Sequence, residues 1–144
     1  MFASPSTSTG LPALDAREDF ARARRAERAA RAAHWLRGRR RPHQPRTLPS
    51  TTARRARVAR LEVVPLASIV GTVEPSPHFD ARFRPASGHL RSRWERIALA
   101  HRRGVALPPI ELHRRADGYY VIDGRHRVSV ALAAGHRDIE AWVS

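Results

Sequence analysis

One segment near the end of the sequence constrains the fold most, because it predicts a strand, a sharp turn and a helix in direct succession. Tyr119–Ile122 consists of aromatic and β-branched residues, which favour a buried strand. Asp123–Gly124 follows, and the glycine supplies the positive φ that a sharp reversal needs. Val128 and Leu132 then recur at helical spacing, and Gly135 is placed to end the helix in the left-handed conformation. We therefore expect a helix N-terminus to open directly after the turn.

Three basic residues, Arg125, His126 and Arg127, occupy that predicted helix N-terminus. The free backbone N–H groups and the positive dipole end of a helix attract an anion, and two guanidiniums and an imidazole add donors at the same place. Basic residues at this end oppose the helix dipole and are mildly destabilising unless an anion is present. The segment therefore predicts a phosphate-binding site. An ordinary turn followed by a solvated first helical turn is the alternative that the residues alone leave open.

The five residues of this predicted site differ in the chemistry that they offer. Gly124 lets the backbone approach a ligand closely, while Arg127, with Arg125 beside it, is suited to bidentate contacts with phosphate oxygens. The His126 imidazole can donate to a phosphate or transfer a proton near neutral pH, but it can equally pack against its own helix turn. Asp123 can help to hold Mg²⁺ or to orient His126, and it is also satisfied as a simple turn residue.

The segment Asp123–Arg127 resembles the Gly-x-x-Arg box of the ParB/sulfiredoxin superfamily, here in an Asp-Gly-x-His-Arg form. Members of this superfamily bind a nucleotide with the turn: ParB partition proteins bind CTP, whereas sulfiredoxins and free serine kinases bind ATP. The resemblance covers residues 61–143 and implies the fold of that superfamily, with ATP or CTP and Mg²⁺ as cofactors. It leaves open whether the nucleotide is hydrolysed or donates a phosphoryl group, and so whether the protein is an enzyme. The chain has no cysteine, which excludes the sulfinic acid repair of sulfiredoxins.

Nucleotide chemistry also needs a carboxylate that positions a nucleophile or a metal ion. In the superfamily the loop after the first strand approaches the phosphates. The resemblance therefore places Glu74 and Asp80 near the phosphates as candidate catalytic carboxylates. His126 is the third catalytic candidate, because its imidazole can transfer a proton. The alternative is an ordinary surface loop, in which the acids pair with Arg82 and Arg84.

The N-terminal part of the chain carries most of the net charge of +14. Residues 1–60 contain 15 arginines and four acids, whereas residues 61–144 contain 12 arginines and nine acids. Ser, Thr, Pro and Gly dominate residues 1–12, which predicts a disordered leader. A basic, Ala-rich and Arg-rich helix, solvent-exposed for much of its length, is expected over residues 13–41, and the prolines of residues 42–60 predict a linker.

A basic stripe on this helix suggests a second function, because arginines can neutralise the phosphates of DNA. The protein would then be a nonspecific, salt-sensitive DNA-binding accessory related to chromosome partition, and the Asp123–Arg127 turn would contact backbone phosphate. The opposing interpretation is a solvated extension whose arginine content reflects a GC-rich genome, since all 27 basic residues are arginine. The candidate nucleic-acid-binding residues are Arg24, Arg25, Arg28, Arg39 and Arg40.

Residues 61–144 are expected to form the compact domain, because strand and helix patterns alternate along them. Ser87 is a candidate N-cap for an amphipathic helix that Gly104 ends. The resulting fold class is α+β (mixed α/β), a ParB/sulfiredoxin-like domain with a basic N-terminal helical extension. Strands are predicted at 61–64, 110–113, 119–122 and 139–143, and helices at 87–104 and 125–135.

Several classes of protein are excluded or disfavoured by what the sequence lacks. Without cysteine there are no disulfides and no thiolate metal sites, and the histidines show no metal-ligand spacing. No apolar run reaches the length of a membrane span, and the N-terminus lacks a signal peptide's apolar core. We expect a cytoplasmic bacterial protein whose partner is a nucleotide or another phosphorylated small molecule, with the oligomeric state left open.

Overall fold

A computed structural model describes residues 8–38, 43–49 and 58–144 of the chain. The described residues form three α-helices and six strands, with short 3₁₀ turns at Leu66–Ser68 and Gly88–Leu90. In chain order the elements are α1 (Pro12–Leu36), β1 (Arg46–Thr47), β2 (Arg60–Pro65), β3 (Ile69–Thr72), α2 (Arg91–Arg102), β4 (Ile110–Arg115), β5 (Gly118–Asp123), α3 (Arg125–Ala133) and β6 (Asp138–Val143).

The strands form one mixed sheet in the order β1-β3-β5-β4-β6-β2. Parallel pairs join β1 to β3, β3 to β5 and β4 to β6, while β4–β5 and β2–β6 are antiparallel. The β4–β5 hairpin turns at Ala116–Asp117, so that Arg115 pairs with Gly118. Segregated helices beside a mixed sheet confirm the α+β fold class.

The main hydrophobic core packs the inward side chains of the sheet against α3. Alternation in β6 buries Ala141 and Val143 and exposes Glu140 and Trp142, as expected for a strand with one covered face. Val128 of α3 is fully buried in this core. The other buried members are Val64, Leu66, Ile69, Phe83, Ile110, Leu112 and Val121.

A second core forms where α1 packs on α2, so the helix predicted over residues 13–41 buries one narrow face while most of its residues stay exposed or partly exposed. Phe20 of α1 is fully buried against Trp94 of α2, with ring centroids 5.6 Å apart in an edge arrangement. Ala16 and Ala23 lie on the same buried face, where their small side chains let the helices approach closely. The helix ends at Leu36, five residues earlier than predicted.

Polar contacts reinforce this packing of the helices. The Arg102 guanidinium donates to both carboxylate oxygens of Asp19, at 2.6 and 2.7 Å. Trp94 Nε1 donates to Ser129 Oγ at 2.8 Å, which joins α2 to α3. The helix α1 is therefore part of the folded unit and is not a separate arm.

The predicted leader and linker also contain ordered backbone. Thr9 donates to the Asp15 carboxylate from its backbone N–H and its hydroxyl, both at 2.8 Å, so the part of residues 1–12 from Ser8 onward precedes α1 as a hydrogen-bonded turn. Within residues 42–60, Arg46–Thr47 forms strand β1 beside β3. This pairing requires glycine at Gly71, because a Cβ there would overlap the Arg46 carbonyl. Residues 1–7, 39–42 and 50–57 lie outside the described residues.

The remaining local predictions are confirmed with small shifts. Ser87 Oγ accepts from the His89 backbone N–H at 3.2 Å and caps the short 3₁₀ turn that leads into α2. Gly104 and Gly135 have φ values of +70° and +78° after α2 and α3. None of the helices in the described ranges is both long and apolar enough to cross a membrane.

Candidate functional site

A groove of about 290 Å³ lies where the loop after β3 meets the start of α3 and the outer face of α2. It brings together the predicted turn and residues that are distant in sequence. All five predicted phosphate-binding residues line it: Asp123, Gly124, Arg125, His126 and Arg127. The other lining residues are Pro75, Ser76, Pro77, His78, Phe79, Leu90, Arg93 and Ile97.

Gly124 shapes the turn between β5 and α3. Its φ of +107° lies in the left-handed region, and a Cβ at this position would lie 2.5 Å from Ile110 Cγ2. Since Ile110 is fully buried, it has no room to move away. The glycine therefore allows the strand to reverse into the helix against the core.

The N-terminus of α3 opens into this groove without a side-chain cap. The first bond of the helix runs from the Val128 N–H to the Gly124 carbonyl at 3.0 Å. The N–H groups of the preceding helical residues therefore have no intrahelical acceptor. This end of the helix carries the positive end of the dipole, so it favours an anion.

Arg127 connects the turn between β5 and α3 to the segment that precedes β4. Its Nη1 donates to the Pro108 and Pro109 carbonyl oxygens at 2.6 and 2.9 Å, and its Nη2 donates to Asp123 Oδ2 at 3.0 Å. The side chain is only 16% exposed. Three of its donors are thus engaged with the protein, and phosphate binding by Arg127 stays a prediction.

His126 is held with its ring half-buried beside Phe79, with centroids 5.2 Å apart and planes nearly perpendicular. The pKa of His126 is lowered from 6.5 to about 4, first by burial of the ring and then by the positive charges of Arg93 and Arg125. Its buried Nε2 has no hydrogen-bond partner among the described residues. The imidazole is therefore neutral at pH 7, and it lies in a positive local field.

Arg93 and Arg125 bring two further guanidiniums to the groove. Arg125 Nη1 makes one contact of 3.3 Å with the Pro75 carbonyl oxygen, whereas Arg93 is exposed on α2 and has no ion pair within the described ranges. Asp123 is the one acid among the lining residues, and it is already paired with Arg127. Arg93 is not among the residues predicted from the sequence. The one signal was its spacing, three residues after Leu90 and four before Ile97, which puts it on the same side of the helix as these two lining residues.

Neither of the two predicted catalytic carboxylates lines the groove. Glu74 is exposed and does not line it. Asp80 is fully buried, and its carboxylate accepts from the backbone N–H groups of Arg82 and Arg84, at 2.9 and 2.8 Å, and from Arg84 Nε at 2.7 Å. His43 Nε2 also lies 3.4 Å from Asp80 Oδ2. Because Asp80 organises its own loop, we withdraw it as a catalytic candidate.

The predicted nucleic-acid-binding arginines divide into two groups. Arg24 faces the fold and donates to Glu27 and to the Pro85 carbonyl oxygen. Arg25 and Arg28 are exposed on α1, although Arg25 pairs with Glu18 at 2.7 Å. Arg39 and Arg40 lie outside the described residues.

The structure brings no cluster of three or more potential metal ligands together within residues 8–38, 43–49 and 58–144. Within the groove, Asp123 is the one lining residue with a carboxylate, and that carboxylate is already paired with Arg127.

Comparisons with known proteins give little beyond this geometry. Neither a family model nor a curated protein sequence matches the chain. Among solved structures, sulfiredoxin from Arabidopsis thaliana is similar, with 15% sequence identity and a TM-score of 0.43. The match covers 59% of this chain and 84% of that protein. The α+β fold class rests on the elements and sheet described above.

Proposed function

We propose that the groove at the N-terminus of α3 binds the phosphates of a nucleotide or of another phosphorylated small molecule. The observation that carries this proposal is the surplus of positive charge in the groove. Arg93, Arg125 and the uncapped helix end converge there, and the one lining acid, Asp123, is already neutralised by Arg127. An anion would compensate this charge and occupy the free N–H donors.

The size of the groove favours the phosphate part of such a ligand. Its volume of about 290 Å³ is at the lower end of small-molecule sites, which span roughly 300–1,000 Å³. A triphosphate fits this space better than a whole nucleotide. The base and sugar would extend beyond the groove past the exposed His78.

The proposal is for binding, and catalysis is not part of it. Glu74 and Asp80 do not reach the groove, and neutral His126 is half-buried between Phe79 and the helix. Hydrolysis or phosphoryl transfer would need a carboxylate near the phosphates to position water or an acceptor. Asp123 is the lining residue with a carboxylate, and in hydrolysis or phosphoryl transfer it would act together with Mg²⁺.

The test is calorimetric titration with ATP, CTP and GTP, with and without Mg²⁺, on the wild type and on Arg93→Gln, Arg125→Gln and the double variant. Each charge-assisted contact contributes about 1.5–3 kcal/mol, so each single change should weaken binding about tenfold or more. Arg115→Gln is the matched control, because Arg115 is exposed at the opposite end of the β4–β5 hairpin. Arg127→Ala is avoided, since it would release the turn.

Two results would overturn the proposal. One is the absence of saturable binding to every nucleotide and to inorganic phosphate. The other is binding that the double variant retains at wild-type affinity. Dependence on the base would identify the nucleotide, while equal affinity for all three would assign recognition to the phosphates alone.

Binding to DNA remains a second candidate function, because Arg25 and Arg28 lie exposed on α1. The test is fluorescence anisotropy of a short labelled duplex at several salt concentrations. Replacing both residues with Gln should weaken binding for all sequences and reduce the salt slope by about 2. Removal of residues 1–60 is unsuitable, because Phe20 of α1 belongs to the core. Unchanged affinity and slope in the double variant would exclude this role.

A further inference from the structure

A second cavity, of about 380 Å³, lies between α1, the loop around Phe83 and the C-terminal half of α3. It is separate from the groove at the N-terminus of α3 and shares no lining residue with it. Its walls are mostly apolar and its rim carries arginines. It is lined by Asp19, Arg22, Ala23, Ala26, Arg82, Phe83, Arg84, Pro85, Ser129, Leu132 and Ala133.

The floor of this cavity is apolar and fixed. Phe83 and Ala23 are 3% and 9% exposed, and both belong to hydrophobic cores. Leu132 reaches the cavity from α3 and remains 36% exposed, so an apolar side chain faces open space. An apolar ligand body would cover this surface and gain the free energy of removing it from water.

The loop that forms one wall is held in a strained conformation. Phe83 has φ +59°, a left-handed value that is unfavourable for a bulky residue. The buried Asp80 stabilises it, because its carboxylate accepts from the N–H groups on either side, of Arg82 and Arg84. The Phe83 N–H itself donates to the Asp80 carbonyl oxygen at 2.9 Å. The cavity wall is therefore preorganised.

The rim has a surplus of positive charge. Arg84 is engaged, since its Nε donates to Asp80. Arg22 has one long contact of 3.5 Å with Asp19, whose two carboxylate oxygens already accept from Arg102. The exposed Arg82 side chain has no acidic partner within the described ranges. Arg22 and Arg82 are thus two guanidiniums with donors free for an anion.

We propose that this cavity binds a small amphiphilic carboxylate. Its apolar body lies against Phe83, Ala23 and Leu132, and its carboxylate accepts from Arg22 and Arg82. Charge complementarity at the rim selects an anion, and the apolar walls select against a free phosphate or a nucleotide. The site is independent of the proposed phosphate groove.

The experiment is calorimetric titration of the full chain with octanoate and with octanol, the uncharged analogue of similar length. We expect octanoate to bind one site with a dissociation constant on the order of 0.1–1 mM, from the affinity typical per atom of small ligands. Octanol should bind about tenfold more weakly, because it lacks the charge that the arginines recognise.

Two variants with matched controls separate the apolar and charged parts of the site. Ala26→Leu fills the cavity from an exposed helix position and should weaken both probes at least about tenfold. Ala32→Leu, also exposed on α1 but outside the cavity, should change neither. Arg82→Gln should weaken octanoate about tenfold and leave octanol unchanged, whereas Arg115→Gln should affect neither.

Three outcomes would overturn the proposal: no saturable octanoate binding to the wild type, wild-type affinity in Ala26→Leu, or equal loss of both probes in Arg82→Gln. Thermal unfolding of each variant checks that the fold is kept. Since Ala26 and Arg82 are both exposed, the melting temperatures of their variants should match that of the wild type. Binding of ATP in the phosphate groove should be unchanged in Ala26→Leu, which keeps the two proposals distinguishable.

Discussion

Replacing Phe20 with Ala tests whether α1 belongs to the folded domain. Phe20 is fully buried, packs edge-on against Trp94 at 5.6 Å and lies under the Arg91 guanidinium at 4.8 Å. Truncating a buried phenylalanine costs about 3–5 kcal/mol, from lost burial and from the cavity left behind. The whole free energy of unfolding of such a domain is about 5–15 kcal/mol, so the variant should lose a large part of it.

Equilibrium unfolding in urea, followed by circular dichroism, measures this loss. With a slope of about 2 kcal/mol per molar urea, a loss of 4 kcal/mol lowers the midpoint by about 2 M while the slope stays constant. Trp35→Ala is the control, because Trp35 is on the same helix but 77% exposed, and it should change the stability by less than about 0.5 kcal/mol. A loss below about 1 kcal/mol in Phe20→Ala would refute the argument, as would a separate early transition for the helix.

The other predictions concern the turn, the loop and the buried imidazole. Gly124→Ala should lower the free energy of unfolding by about 2–4 kcal/mol, because the new Cβ meets Ile110 at a positive φ; urea unfolding measures this, and a change near zero would contradict the geometry. Asp80→Asn should cost about 2–4 kcal/mol in the same assay, because it turns an amide toward Arg84 Nε, while a neutral result would mean that the loop does not need the carboxylate. NMR titration should find the pKa of His126 near 4 without ligand and higher with bound phosphate. Because the unfolded chain protonates first, the free energy of unfolding should fall as pH drops from 6.5 to 4, and His126→Gln should reduce that slope; equal slopes would show that His126 is not buried.

Local sequence patterns were sufficient for the parts of the fold that local interactions determine. The helix after Ser87, the hairpin between β4 and β5 and the turn into α3 each depend on residues close in sequence. Strand β1 was missed, because two residues of sequence Arg-Thr carry no strand pattern. Its pairing depends on the close approach that Gly71 allows, which only the folded chain reveals.

The surface that covers α1 could not be predicted for a related reason. The apolar stripe of α1 is thin, with Phe20 and small alanines, and such a stripe is typical of a helix that is exposed for much of its length. The stripe is buried because Trp94 on α2 offers a large complementary surface. Shape complementarity between two helices is not a property of either sequence segment by itself.

In the candidate site, the sequence predicted which residues of the turn come together. It did not predict which guanidiniums are bound to the protein and which can contact a ligand. The Asp123–Arg127 turn and the helix N-terminus are local features. Arg127, however, is engaged by the Pro108 and Pro109 carbonyl oxygens, and Arg93 arrives from another helix. Both depend on tertiary structure, so the guanidiniums best placed for an anion differ from the one that the motif favours.

The position of β6 has a consequence for how the protein forms on the ribosome. This strand, Asp138–Val143, is synthesised after every other strand of the sheet, yet it lies inside the sheet between β4 and β2. The pairing of Arg60–Pro65 with residues 138–143 spans most of the chain, and such distant contacts form late. Strand β2 therefore leaves the exit tunnel long before its neighbour exists, while the β4–β5 hairpin can close on its own. During that interval the apolar side chains of β2 are exposed to chaperones and to other nascent chains.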